Sequence, residues 1–416
     1  MLKKYFCLVI ILCSAIGFGQ IDLEVNPPEY IKTINFKGNT SEGQLPLLKL
    51  GDKLILEFDA LNGEEADFYY KIQHYDYNWN PSVLVKSEYL NGFDNQRILD
   101  YENSFNTFQI YSHYLLQIPN SQTRGFLVSG NYMLKIYDDY DNLVFSRKFM
   151  VYEDMVGVGV EIKRSRDVSV VNEKQSVDIT VSSNRMKFNN PKETVKTVII
   201  QNNNLNTAIT GLKPLYTIGN QLIYKYNTET SFWAGNEYLF IDTKDLRVAT
   251  LGTRSIALKE LYHNYLFTDI VRADRPYTYN PDINGNFVVS AIDRDDPAIE
   301  ADYAWIHFSL QHQEMIDDKS IHVYGNFNNY AIESSTKLTF DDYSKTYSVP
   351  LLLKQGFYNY KYVVVDNNGN LNEGEISGDF YQTENDYKVL VYYRDLGARY
   401  DRLVGTGNGN SINISN

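Results

Sequence analysis

With 416 residues, the chain is long enough for two to four domains of roughly 100–200 residues each. Its 52 acidic residues outnumber 39 basic ones, and a formal net charge of −13 argues against nucleic acid or an anionic lipid surface as partner. An aromatic content of 14%, with 35 tyrosines, suits pleated sheets, and no long Ala/Leu/Glu/Lys stretch of helical period competes with them.

Residues 1–19 read as a secretory signal peptide. Met1-Leu-Lys-Lys4 is basic, Tyr5–Ile16 is apolar, and Gly17 and Gly19 put small residues before Gln20. Both cysteines, Cys7 and Cys13, fall inside this segment, and Leu12 before Cys13 is too large for a lipoprotein site. The mature chain is therefore expected to lack disulfides and thiolate metal sites. Loss of Lys3 and Lys4 takes the charge from −13 to −15. No later apolar run reaches the ~18 residues of a membrane-spanning helix.

The chain after Gln20 reads as all-β, a tandem of immunoglobulin-like β-sandwiches. The first domain is placed at 20–153. Tyr30–Gly38 and Lys53–Leu61 read as strands, with Ile31, Thr33 and Asn35 on one face of the first. Tyr69–Tyr77 and Phe108–Ile118 are two further strands around an insert rich in aromatics. The hairpin after Phe126 turns at Asp139–Asn142. The second domain, 154–296, takes in strands from Val156 to the charged stretch Asp293–Pro297. The third, 297–396, contains the strands after Asp302 and turns at Asp341-Asp342 and Asp366–Asn370, where Asp, Asn and Gly tolerate positive φ. The Gly/Asn/Ser-rich segment within 397–416 reads as a disordered tail.

The third domain resembles early-set immunoglobulin-like domains, which include the glycogen-binding modules. The resemblance rests on Val323-Tyr-Gly-Asn-Phe-Asn-Asn329 and on Gly356–Asp366. It implies a carbohydrate-binding alternative through Trp305 and Tyr330, although this unit has one tryptophan where sugar binders stack several.

No G-x-S-x-G, P-loop, strand-borne G-x-G-x-x-G or H-E-x-x-H motif is present. His74 and His113 lie in strands that could pair, and Asp282–Asn286 faintly resembles a calcium loop without its downstream acid. A satisfied histidine and an ordinary turn are the simpler readings. No catalytic residue, cofactor or metal is expected.

A wider resemblance covers residues 31–395. His74–Ser82, Lys86–Asp94, Tyr101–Thr107, Phe126–Tyr137 and Lys148–Glu153 are similar to the plug-protein family of the type IX secretion system. Asn189–Pro191, Leu212–Pro214, Gly219–Tyr224, Gly235–Glu237, Arg275–Tyr277 and Asp282–Gly285 agree with it. The resemblance implies a periplasmic, non-enzymatic protein that seals the inner mouth of the outer-membrane translocon barrel when idle. The aromatic insert then has two readings: a lid over its own sandwich, or a surface for that partner. The candidate contacts are Tyr75, Trp79, Tyr89, Phe93, Tyr101 and Phe105, since aromatic side chains anchor interfaces at low entropic cost.

Overall fold

The structure, a computed structural model, describes residues 23–38, 44–63, 65–313 and 318–414. The expected signal peptide lies outside the described residues. The chain is all-β, with three two-sheet sandwiches, each around its own apolar core.

In the first sandwich, one sheet runs Ile31–Gly38, Leu54–Ala60, Ser112–Ile118, Asp100–Asn103. The other runs Leu47–Lys49, Leu143–Tyr152, Gly130–Tyr137, Tyr69–Tyr75, Gln96–Arg97. Alternating side chains such as Leu54, Leu56 and Phe58 face Tyr132, Leu134 and Ile136 across the core. The first strand departs from simple alternation. Its register shifts between Lys32 and Asn35, and Thr33 sits at φ 53°. This bulge lets both Ile31 and Phe36 turn inward, so Thr33 and Ile31 do not share a face as alternation suggests.

The aromatic insert is built, not loose. It holds the short helix Lys86–Tyr89 and the strand Leu90–Gly92, then adds one edge strand to each sheet, Gln96–Arg97 and Asp100–Asn103. One turn recurs three times in the chain. Asp76, Asp138 and Asp366 each accept, through Oδ1, the backbone N–H groups two and four residues on, and the asparagine four residues on donates its side-chain amide to the same carboxylate. The aspartate supplies the acceptors that the tight backbone cannot.

The second and third sandwiches are nested. The second pairs Gly157–Arg164, Lys174–Ser182, Gln221–Tyr224 and Tyr216–Ile218 in one sheet. Its other sheet runs Asn204–Leu212, Val195–Gln201, Asp386–Tyr393, Arg402–Asn410. The third lies wholly between these segments. It pairs Leu239–Asp242, Gly356–Asp366 and Phe287–Val289, against Thr253–Leu258, Tyr262–Leu266, Tyr303–Gln311, Thr346–Lys354 and Thr339–Asp341. A boundary at 296 therefore cuts through the third sandwich, whose strands begin at Leu239.

The expected disordered tail is also corrected: Arg402–Asn410 is an edge strand, with Leu403 and Val404 fully buried. Gly405, Gly407 and Gly409 fall on alternate positions, and a Cβ on each would meet Val156, Val158 or Val160 at 2.5–2.7 Å. Glycine there permits the close approach of the strand Gly157–Arg164 from the opposite sheet.

Candidate functional site: the aromatic insert and the junction of three sandwiches

The six aromatics named from sequence part company in the structure. Tyr75 and Tyr89 are buried, and Tyr89 donates its hydroxyl to the Ile72 carbonyl inside the first core. Burial pushes the Tyr89 phenol up to about 12. These two are corrected to core residues, because a partner cannot reach them. Trp79 and Tyr101 are half-buried. Trp79 ends a turn at φ 63° with the Lys148 ammonium 4.6 Å over its ring. Tyr101 stacks on Tyr114 and donates to Glu65 at 3.0 Å. Phe93 and Phe105 stand out in solvent, 71% and 65% exposed. Leu99, Phe108 and Ile110 are exposed on the same segment. The lid reading thus describes Tyr75 and Tyr89, while Phe93, Leu99 and Phe105 stay exposed along the rest of the insert.

The end of the insert also docks within the chain. The Phe105 N–H donates to Ile299, and the Phe108 and Gln109 N–H groups donate to the Asp302 carboxylate at 2.7 and 3.1 Å. Tyr111 donates to the Ala301 carbonyl at 2.8 Å. Beside this contact lies a buried polar knot. Lys354 of the third sandwich pairs with Asp59 of the first at 2.6 Å, and Tyr303 donates to the same Asp59 oxygen at 2.6 Å. His113 holds the other Asp59 oxygen at 2.7 Å, and Thr33 meets the Tyr303 hydroxyl at 2.5 Å. Burial, reinforced by the charge on Asp59, holds the Tyr303 phenol well above its ordinary value, so it remains a donor. Burial lowers the Lys354 ammonium, while Asp59 opposes that shift.

The first and second sandwiches share a small core of their own. Leu45, Leu47, Tyr77 and Met150 pack on Val198, Ile200, Leu390, Tyr392 and Leu403. Tyr77 donates to the Thr197 carbonyl, and Asp401 accepts from the Tyr77 N–H. Where all three sandwiches meet, a cleft of about 1330 Å³ opens between the strands Ile31–Gly38 and Phe287–Val289.

His74 and His113 are not brought together, since they lie in different sheets. Burial pulls the His74 imidazole down to about 4, and its Nε2 faces the Ser129 carbonyl. Asp282 uses its carboxylate on the N–H groups of Tyr238 and Asn284, an ordinary turn. Among the described residues no group of three His, Cys, Asp or Glu could hold a metal ion, and no helix is long and apolar enough to cross a membrane.

Sequence reasoning missed the histidine pair His263 and His307. Their ring nitrogens lie 2.8 Å apart and their rings stack with Tyr265 on an outward sheet face beside half-buried Trp305. The parallel pairing of Tyr262–Leu266 with Tyr303–Gln311 makes them neighbours, and no local pattern announces it. Of the two glycan candidates, Trp305 is half-buried on this face, whereas Tyr330 is buried and donates to the Asn202 carbonyl at 2.9 Å, so it presents no face to a sugar.

The described fold is thus a multi-sandwich protein with exposed apolar side chains on its insert. A family model described as the type 9 secretion system plug protein first domain matches residues 31–153. This chain belongs to the type IX secretion system plug protein family. The crystal structure of a hypothetical protein from Parabacteroides merdae ATCC 43184 is 32% identical. It covers 93% of this chain and 98% of its own, at a TM-score of 0.89. The nested arrangement therefore extends over a relative's full length. Two other structures are 8% identical: a complex of Dpr2 Ig1-Ig2 with DIP-Theta, covering 90% and 97% of the two chains, and trypsin-activated alpha-2-macroglobulin from Escherichia coli, covering 93% and 29%. Their TM-scores of 0.14 and 0.18 carry no argument. No curated protein matches this chain.

Proposed function

We propose that the chain is a non-enzymatic plug of type IX secretion, exported to the periplasm, that binds the periplasmic end of the outer-membrane translocon barrel and seals its pore when idle. Family membership carries this reading. The exposed apolar side chains of the insert support it: Phe93, Leu99 and Phe105 are 71%, 72% and 65% exposed on a strongly acidic protein.

The test is co-purification from native membranes. The tagged wild-type protein should bring the barrel with it, and Phe93→Asp with Phe105→Asp should release the barrel while leaving the melting temperature unchanged. A wild-type protein that retains no barrel overturns the proposal. Intact mass of the cellular protein should place its N-terminus at Gln20.

A further inference from the structure

Phe93, Leu99 and Phe105 do not line the cleft at the triple junction, which has a chemistry of its own. Its volume of about 1330 Å³ exceeds the ~300–1,000 Å³ of ordinary small-molecule sites. One wall is the strand Phe287–Val289, which is the free edge of its sheet. The ladder fixes which groups point into the cleft. Ser290 donates to Gln355, and Asn359 donates to Asn286, so residues 286, 288 and 290 bond inward to Gly356–Asp366. Phe287 and Val289 therefore aim their N–H and C=O groups outward.

At Phe287 a primary amide already fills that edge. Gln44 of the first sandwich donates to the Phe287 carbonyl at 2.8 Å and accepts from its N–H at 3.3 Å. A side-chain amide bound in this way imitates one rung of a neighbouring strand. The Val289 rung, two residues on, has no such partner among the described residues.

The far wall is acidic. Asp282, Glu384 and Asp386 all line the cleft, and of these Asp282 lies in the field of Lys361 and Arg272. They are held by neutral groups: Tyr279 and Asn410 on Glu384, and Asn284 and Asn410 on Asp386. The Oδ1 atom of Asn284 is buried there with no hydrogen-bond donor. By contrast, Lys37 and Lys354 in the same cleft are matched by Glu57 and Asp59. A third lysine in the cleft, Lys388, is not without a partner either. These carboxylates do not converge as metal ligands do. A larger cation with several N–H donors suits them.

We propose that this cleft receives an extended peptide segment of a partner protein, added as a strand along Phe287–Val289 and placing a lysine or arginine against Asp282, Glu384 and Asp386. Strand addition takes its affinity from backbone hydrogen bonds and its specificity from alternate side chains.

The purified full chain, labelled and applied to a positional-scanning array of six-residue peptides with blocked ends, tests this. The expected result has two parts. Lysine or arginine is selected at one or more positions, and proline is excluded at one position, because the Val289 rung is the one left open beside the Gln44 amide. Val289→Pro removes the outward N–H without touching an inward bond, a change that edge strands tolerate. It should weaken the best peptide about tenfold, the worth of one good hydrogen bond. Glu384→Gln with Asp386→Asn should abolish the preference for basic over acidic peptides. The proposal is overturned by an array with no selection, by proline tolerated throughout, or by Val289→Pro binding as wild type. Self-association that Val289→Pro abolishes would likewise overturn it in favour of a second copy, as would calcium binding at the acidic wall without peptide binding.

Discussion

Asp59 sits on a strand of the first sandwich, yet two of its partners, Lys354 and Tyr303, belong to the third. All three side chains are almost completely buried. Removing one member of a buried ion pair leaves an uncompensated charge, which costs about 3–5 kcal/mol, whereas replacing both can be close to neutral. Lys354→Ala should therefore lower the urea midpoint sharply, and Asp59→Asn with Lys354→Met should recover much of the loss. Equal losses for the single and double variants would remove the pair from the account. Glu237 makes a second prediction at this scale. Burial raises its carboxyl from 4.5 to about 7. Its Oε2 has no partner, Asp282 and Glu384 repel its charge, and Tyr277 and the Glu384 N–H partly offset the shift. The folded state binds this proton more tightly than the unfolded chain does. The stability it contributes is complete below about pH 4.5 and is lost as the pH rises through about 7. Asp282, raised to about 6, acts in the same sense, while His74, lowered to about 4, acts oppositely below its ordinary value. Arg272 faces the site through the Glu237 carbonyl. Melting temperatures of Glu237→Gln and wild type should thus diverge steadily in favour of the variant between pH 5 and pH 8. Parallel curves would show that Glu237 titrates normally. None of these pairings was legible in the sequence: Asp59 and Lys354 are 295 residues apart, and neither sits in a pattern that predicts a buried charge.

At the scale of elements, local chemistry was legible wherever it was self-contained. The hairpin Gly130–Tyr137 to Leu143–Tyr152 follows its alternation, and its turn is written in Asp138 and Asn142. The last strand was misread because its composition imitates a linker. Gly405, Gly407 and Gly409 are flexible when considered singly, but their spacing of two matches one face of a strand. That spacing has meaning only with Val156, Val158 and Val160 opposite, some 250 residues earlier in the chain. Gly407→Val tests the assignment. Its new side chain would meet the Val158 carbonyl oxygen at 2.6 Å, and overpacking of this kind costs about 1–3 kcal/mol. Leu396→Ala, 75% exposed in the loop before the same strand, should stay within about 0.5 kcal/mol of wild type. Thermal or urea unfolding of the two variants decides it, and equal behaviour would mean the strand does not pack. The insert was half legible for a related reason. Aromatic density said that Tyr69–Ile118 was ordered, but not which rings face inward. That depends on the edge strands Gln96–Arg97 and Asp100–Asn103, which are too short to be read from pattern.

At the scale of the whole molecule, three sandwiches could be counted from the sequence, but not their nesting. Sequential strands usually pair with one another, so a linear division was the natural reading. Here the second sandwich closes only when Asp386–Tyr393 and Arg402–Asn410 return to it after the third is complete. The consequence is mechanical. Domains joined by single linkers move by default unless their interface is large and hydrophobic. The second and third sandwiches are instead joined by two chain crossings. The first is held to the second by the core around Tyr77 and Leu403, and to the third by the Asp59 knot. A body fixed in three places should resist bending. Cysteines outside residues 1–19 are absent from the sequence, so spin labels can be placed cleanly. Tyr140 of the first sandwich and Tyr343 of the third are 81% and 99% exposed, and their replacement by cysteine should leave the fold intact. Double electron–electron resonance between labels there should give one narrow distance distribution in the wild-type background. Adding Lys354→Ala removes the knot while leaving the core around Tyr77 in place, and should broaden that distribution without unfolding either sandwich. A broad or two-peaked distribution before the knot is cut would show that the first and third sandwiches already swing freely, and would remove the stiffness on which the proposed sealing role depends.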